Sequence, residues 1–313
     1  MAHTTSNGTV SLHEVDLKHE TLLQQIFARF RRHRMAMVGV ALMALITLYV
    51  VGGSFFITER EANDTNFQNK WGAPSVEQPF GTDALGRDVL ARTIYGGQVT
   101  LLISLLAMVV TAVLGTTLGL ISGYYGGWAD SVIMRVSEAL LTIPLLFLLL
   151  VITKFIGSQV PAVKVFGREF SGSVIVVILV LGFTGWMGLA RIVRAQVLSL
   201  REQEFVTAAR ALGARNLHIL FRHIMPNTLA PVIVYTTLGI SNVILLEAYI
   251  GFLGMGVQPP TASWGNMIQR ATEKIDSAWW MWLYPGGLIL LTVISINYIG
   301  DGLRDALDPY SKK

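Results

Sequence analysis

The sequence has 313 residues, of which 52% are hydrophobic and only 14% charged, with a mean hydropathy of +0.54. A soluble domain carries roughly 25% charge, so an ordinary soluble globule is excluded. The absence of cysteine removes disulfides, thiol chemistry and cysteine-metal sites, and the net charge is a modest +4.

The charge deficit is concentrated in runs of roughly 18–25 apolar residues, each long enough to cross about 30 Å of hydrocarbon. Strand-type alternation is absent, so the expected fold class is an all-α membrane protein rather than a barrel. Residues 1–19 are polar, patternless and expected to be disordered. From Glu20 the pattern changes: Leu22, Leu23, Ile26, Phe27 and Phe30 share one helical face, with Arg29, Arg31, Arg32 and Arg34 near its end. That is the pattern of a helix lying in the membrane interface. A cleaved signal peptide is not expected, because the polar lead is long and the next apolar run is full length.

Six transmembrane helices are predicted, at about 36–57, 99–122, 133–155, 173–195, 227–250 and 283–301. They divide the chain into a tail (1–35), a first span (36–57), an outer loop (58–98), a five-helix core (99–302) and a second tail (303–313). Lys and Arg number five in the first tail, six in 191–226 and three in the last tail. On the other side they number four in 58–98, two in 157–172 and two in 251–282. The positive-inside rule then makes both tails and the 197–226 loop cytoplasmic.

Within the second predicted span, Gly115, Gly119, Gly123 and Gly127 recur every four residues, a spacing that lets helix backbones approach closely in lipid. Pro144, Pro231 and Pro285 fall in or at the start of apolar spans and predict kinks. Arg135 and Glu138 lie near one end of the third span, where they can pair. Glu247, in LLEAYIGFLGMG, is an intramembrane carboxylate: a pathway or gate residue, or a structural hydrogen-bonding group. Asn242 and Asn297 are weaker candidates of the same kind. Trp279, Trp280 and Trp282 look like an interfacial belt.

The long polar stretch Arg201 to Asn227 reads as two short amphipathic helices. Phe205, Ala208, Ala209 and Leu212 fall at i, i+3, i+4 and i+7, and Gly213 follows at a helix stop. Leu217, Leu220, Phe221 and Ile224 repeat the spacing until Pro226, which is expected to end the second helix. The small surface at Ala208 and Ala209 suits close approach by another protein, though a solvated loop lying on headgroups has the same pattern.

No GxxxxGK[ST], HExxH or GxSxG motif exists, so no nucleotide-binding loop and no catalytic or metal site is predicted. All six histidines lie in predicted cytoplasmic segments. His218 and His223, five apart, read as loop residues off one helical face. Nucleic-acid binding is not expected, because topology accounts for the arginines.

Five separated stretches carry a resemblance: FGTDALGRDVLARTIYGG (80–97), EFVTAARALGA (204–214), HIMPN (223–227), GFLGMGVQPPTASWG (251–265) and GDGLRDALDP (300–309). In this order they resemble the C-type permease subunit of bacterial dipeptide and oligopeptide ABC importers, a family that includes nickel permeases. The resemblance implies a type I ABC importer permease in the bacterial inner membrane. It also implies a homologous second permease, two cytoplasmic ATPases that bind ATP and magnesium, and an extracytoplasmic binding protein. This chain itself would hold no cofactor.

The 204–226 stretch then matches the family's coupling motif, EAAxxxG followed by nine residues and IxLP. Ala208, Ala209, Gly213 and Pro226 match, while Thr207, His223 and Met225 replace the glutamate, isoleucine and leucine. Glu204, one turn earlier, can supply the missing charge. The resemblance implies that residues 203–213, with Glu204, Phe205 and Leu212, engage the ATPases. Absence of histidine and cysteine from the predicted pathway favours peptides over nickel as cargo. A stand-alone secondary transporter and a membrane scaffold remain the competing classes.

Overall fold

In the computed structural model, residues 21–157, 159–165 and 168–308 are described. The polar tail 1–19 and the extreme C-terminus lie outside them. The described residues form an all-α bundle with one two-stranded hairpin. Five helices are long and apolar enough to span a membrane, and a bent helix pair supplies a sixth span when counted as one.

The chain enters along α1 (Leu22–Arg32), capped by Thr21 in a reciprocal capping box with Gln24. His33 ends α1 and caps α2 (Arg34–Thr47), its ring nitrogen accepting from the Ala36 amide. A π-type turn (Leu48–Gly52) and a 3₁₀ turn (Gly53–Phe55) carry the first span to its far end. Glycine and alanine set its packing on α12 (Trp280–Leu307). A Cβ at Gly39 would lie 2.6 Å from the Ser295 carbonyl oxygen, and one at Gly302 would lie 2.3 Å from Ala36 Cβ.

After the short α3 (Glu59–Asn63) and a loop, α4 runs 37 residues from Val89 to Tyr125. It begins ten residues before the predicted start at 99. At 1.5 Å per residue it is about 55 Å long, well beyond the hydrocarbon thickness. Asp88 caps it by accepting from the Ala91 amide at 3.0 Å.

The seam between α4 and α7 (Gly172–Leu200) is the centre of the fold. A Cβ on Gly115 would meet Leu189 Cβ at 2.8 Å, one on Gly119 the Ala190 carbonyl at 2.7 Å, and one on Gly123 Val197 Cβ at 2.7 Å. Gly127 is not part of this seam. It starts α5 (Gly127–Leu141) with φ +54, and nothing lies within 4 Å of a Cβ built there.

The predicted single span at 133–155 is broken. α5 and α6 (Leu145–Gly157) meet at 85° across Thr142–Pro144, because proline cannot donate to the preceding turn. Pro231 and Pro285 instead lie inside the continuous helices α10 (Met225–Phe252) and α12. Arg135 and Glu138 form no ion pair among the described residues. Asp130 pairs with Arg194 of α7 instead, at 2.5 and 2.6 Å.

At the end opposite the α7–α10 connection, strands β1 (Val163–Val165) and β2 (Arg168–Phe170) form an antiparallel hairpin. Arg168 reaches Glu59 at 3.0 and 3.2 Å, bonds Gln98, and stacks over Tyr95 and Phe170. Helix α11 (Trp264–Ala271) plugs this end, with Trp264 wholly buried and donating to the Thr93 carbonyl at 2.8 Å. Trp280 does not join an interfacial belt. It is buried and donates to the Thr82 carbonyl at 3.1 Å, whereas Trp279 and Trp282 are exposed.

Candidate functional site

Between α7 and α10 the chain forms α8 (Glu204–Ala211), a bend, and α9 (Asn216–Ile219). Helix α8 stops in a Schellman motif. The Ala214 amide donates to the Ala209 carbonyl and the Gly213 amide to the Arg210 carbonyl, with Gly213 at φ +79. That conformation suits glycine, and a Cβ at Gly213 would meet nothing within 4 Å. Backbone geometry rather than packing therefore selects this residue.

The residue that fixes α8 is Val206, which the spacing argument passed over. Its side chain is fully buried in a cluster with Leu120 of α4, Val193 and Val197 of α7, and Ile219 and Ile224. Ala209 and Ala214 pack partly against the same cluster. Apart from Ala209, the predicted apolar face points the other way: Phe205 is 41% exposed and Leu212 89% exposed, and Ala208 and Glu204 are exposed too. A signal was available, since Val206 and Ala209 are also one helical turn apart.

Pro226 does not end the second helix. A π-type turn (Leu220–Ile224) joins α9 to α10, and Pro226 sits in the first turn of α10, where its missing amide is no loss. The π turn also gives His218 and His223 a shared face, with ring centroids 5.7 Å apart, so they are helical neighbours rather than loop residues. The His223 ring lies 6.4 Å from that of Phe205. Leu220 and Ile224 are buried, whereas Leu217 and Phe221 are exposed.

Polar ties brace this end. Asp130 takes Arg194 in a two-bond fork and a third bond from the Ser122 hydroxyl at 2.5 Å. Arg201 donates to the Gly123 carbonyl at 3.2 Å, and the Tyr124 hydroxyl to Asn216 at 3.0 Å. Helix α8 is thus a short element whose inner side is locked to α4, α7 and α10 and whose outer side is bare.

The intramembrane candidates lie elsewhere. Glu247 is fully buried near the far end of α10. The Thr100 hydroxyl of α4 bonds one carboxyl oxygen at 3.3 Å, and Ser263, just before α11, lies beside the carboxyl group. The other oxygen has no partner. The Trp264 amide in turn donates to Thr100 Oγ1 at 3.2 Å, so Glu247 sits where α4, α10 and α11 meet. Asn297 accepts from Ser241 at 2.8 Å and joins α12 to α10, whereas Asn242 is exposed. The three do not form one constellation.

A charged knot below the loop start was not foreseen. Asp83 is buried and takes Arg87 in two contacts at 2.5 and 2.7 Å, with Arg92 at 3.7 Å. Burial pushes the Asp83 carboxyl up, but the Arg87 hydrogen bond and the Arg87 and Arg92 charges outweigh it, leaving the group below its usual range. Burial moves Asp88 the other way, above its ordinary value.

With this geometry in hand, the comparisons with known proteins place the chain. The profile of the family described as "binding-protein-dependent transport system inner membrane component" matches residues 115–313. That of the "N-terminal TM domain of oligopeptide transport permease C" matches 21–74. The dipeptide transport system permease protein DppC of Alkalihalophilus pseudofirmus is 40% identical over 291 residues, 92% of this chain and 90% of its own. The oligopeptide transport system permease proteins OppC of Haemophilus influenzae and Bacillus subtilis are 36% and 35% identical. Those alignments cover 95% and 96% of this chain and 92% and 93% of theirs. The chain is therefore a multi-pass, non-catalytic transport component that belongs to the family of binding-protein-dependent transport system inner membrane components.

Proposed function

We infer that the chain is the C-type permease of an ATP-driven peptide importer and that α8 is its coupling helix. Support for the cargo class comes from the relatives, whose names specify dipeptide or oligopeptide transport. The observation that carries the coupling role is the two-sidedness of α8: Val206 is fully buried, whereas Leu212 is 89% exposed. A helix held on one side and bare on the other suits a partner that pushes or pulls on it.

On this reading both tails and the 197–226 loop face the cytoplasm, consistent with the Lys and Arg bias. Two ATPases close on ATP beneath this chain and a second, homologous permease. Force enters at Phe205, Ala208 and Leu212. It passes through Val206 into α4, α7 and α10, whose rigid seam at Gly115, Gly119 and Gly123 tilts as a body. The cavity between the permeases then opens outward to receive peptide from the binding protein. A lever needs two states and a stiff arm; the close-packed seam supplies the arm.

Uptake of a labelled dipeptide by cells expressing the whole system tests this. Leu212→Asp is expected to abolish uptake while the binding protein keeps its peptide affinity. Normal uptake by this variant defeats the coupling role, and uptake of labelled nickel in place of peptide defeats the cargo class.

A further inference from the structure

A second feature is independent of α8. Arg92 and Arg270 both line a small, partly open cavity of about 30 Å³ where α4, α10 and α11 meet at the end opposite α8. The remaining lining comes from Gly251 and Gly254 at the end of α10, the 257–259 turn, Asn266 and Gln269. No lining residue is acidic. We propose that this cavity is a binding site for a small inorganic anion of halide size, held between Arg92 and Arg270.

The charge balance carries the argument. Arg92 is only 4% exposed, and a buried cation needs a compensating charge. Its nearest carboxylate, Asp83, is 3.7 Å from Nε and is already taken by Arg87 at 2.5 Å. The other Arg92 contacts are to neutral groups, the Ala62 carbonyl at 3.3 Å and Asn63 Oδ1 at 3.2 Å. Arg270 is half-buried, forms no ion pair among the described residues, and lies close enough to Arg92 for the two charges to repel. Three guanidinium groups thus face one carboxylate.

The end of α10 contributes about half a negative charge, which leaves most of the excess unbalanced. Glu247 lies one turn back on α10, but it does not line the cavity and forms no ion pair with either arginine among the described residues.

Size sets the occupant. A cavity of about 30 Å³ exceeds the roughly 10–15 Å³ that one water requires, which gives room for a monatomic anion and none for a peptide. The amides at its edge are committed elsewhere: Asn266 donates to the Val257 and Thr261 carbonyls, and Gln258 to those of Gly254 and Gly256. That leaves the two arginines as the charged donors, with the Gln269 amide as a neutral one beside them. An anion there would tie α11 and the 253–263 turn to the start of α4, beside the Glu247 junction.

The test uses the full chain, purified in detergent with whatever subunits accompany it. Thermal stability is measured as sodium chloride replaces sodium gluconate at constant ionic strength. The wild type is expected to gain stability saturably. Arg270→Gln removes one charge-assisted contact and is expected to raise the half-saturating chloride concentration about tenfold or more. Arg270→Glu, which brings its own carboxylate to the cavity, is expected to lose the chloride response while staying folded. Equal wild-type stability in the two salts would mean that the cavity holds only water and would overturn the site. An Arg270→Gln titration that follows the wild-type curve would overturn it as well, because the chloride effect would then lie elsewhere.

Discussion

Replacing Gly119 with leucine probes the seam on which the lever depends. A Cβ at this position would sit 2.7 Å from the Ala190 carbonyl oxygen and 2.7 Å from Val193 Cβ. Neither neighbour is the far end of a flexible chain, so α4 and α7 must separate to admit the side chain. Overpacking of this kind costs about 1–3 kcal/mol, and a leucine with nowhere to go falls at the upper end. Exchange of a helical glycine for leucine returns roughly 0.5–1 kcal/mol through helix propensity. The net expectation is a loss of about 2 kcal/mol. Gly287 of α12 is the matched control: nothing lies within 4 Å of its added Cβ, so Gly287→Leu keeps only the propensity gain. The assay is unfolding in detergent followed by tryptophan fluorescence. Equal stabilities for the two variants, or a more stable Gly119→Leu, would refute the claim that the backbones are in contact there.

Two further outcomes follow from buried polar groups. The Asp83 carboxyl lies below its ordinary value, so its ion pair contributes stability that is fully present above the unfolded-state value and fades as pH falls through the folded one. Asp83→Asn should flatten that acid limb of a stability–pH profile and, by leaving Arg87 and Arg92 buried without a counter-charge, cost roughly 3–5 kcal/mol near neutrality. At the junction of α4, α10 and α11, Glu247→Leu strands the Thr100 hydroxyl and should cost about 1–3 kcal/mol. Glu247→Gln, which can still accept, should cost less, and the ordering of the two melting temperatures checks it.

Apolar run length made the helical class and most of the span positions readable, because crossing hydrocarbon demands long helices, and helical periodicity made the amphipathic α1 readable. The start of α4 was hidden by its polarity: Arg92, Thr93 and Gln98 look like loop residues but are satisfied by Ala62, Tyr49, Arg168 and Val50 in three dimensions. The break at Pro144 was hidden for the opposite reason, since hydropathy is blind to direction and a run bent by 85° reads like a straight one. Pro226 misled because proline both ends helices and starts them. On α8, Phe205 and Leu212 outweighed Val206 by size, yet the smaller residue is the anchor. An exposed apolar side chain that awaits a partner looks, in sequence, like a buried one.

The central claim is that the bare side of α8 meets an ATPase. The chain has no cysteine, so a single Leu212→Cys offers one defined attachment point for a short thiol-to-amine crosslinker in membranes containing the whole system. Val76→Cys, fully exposed in the loop between α3 and α4, is the control. Capture of a P-loop ATPase from Leu212→Cys but not from Val76→Cys is the predicted result. Capture from neither position, or from Val76→Cys alone, would contradict the account.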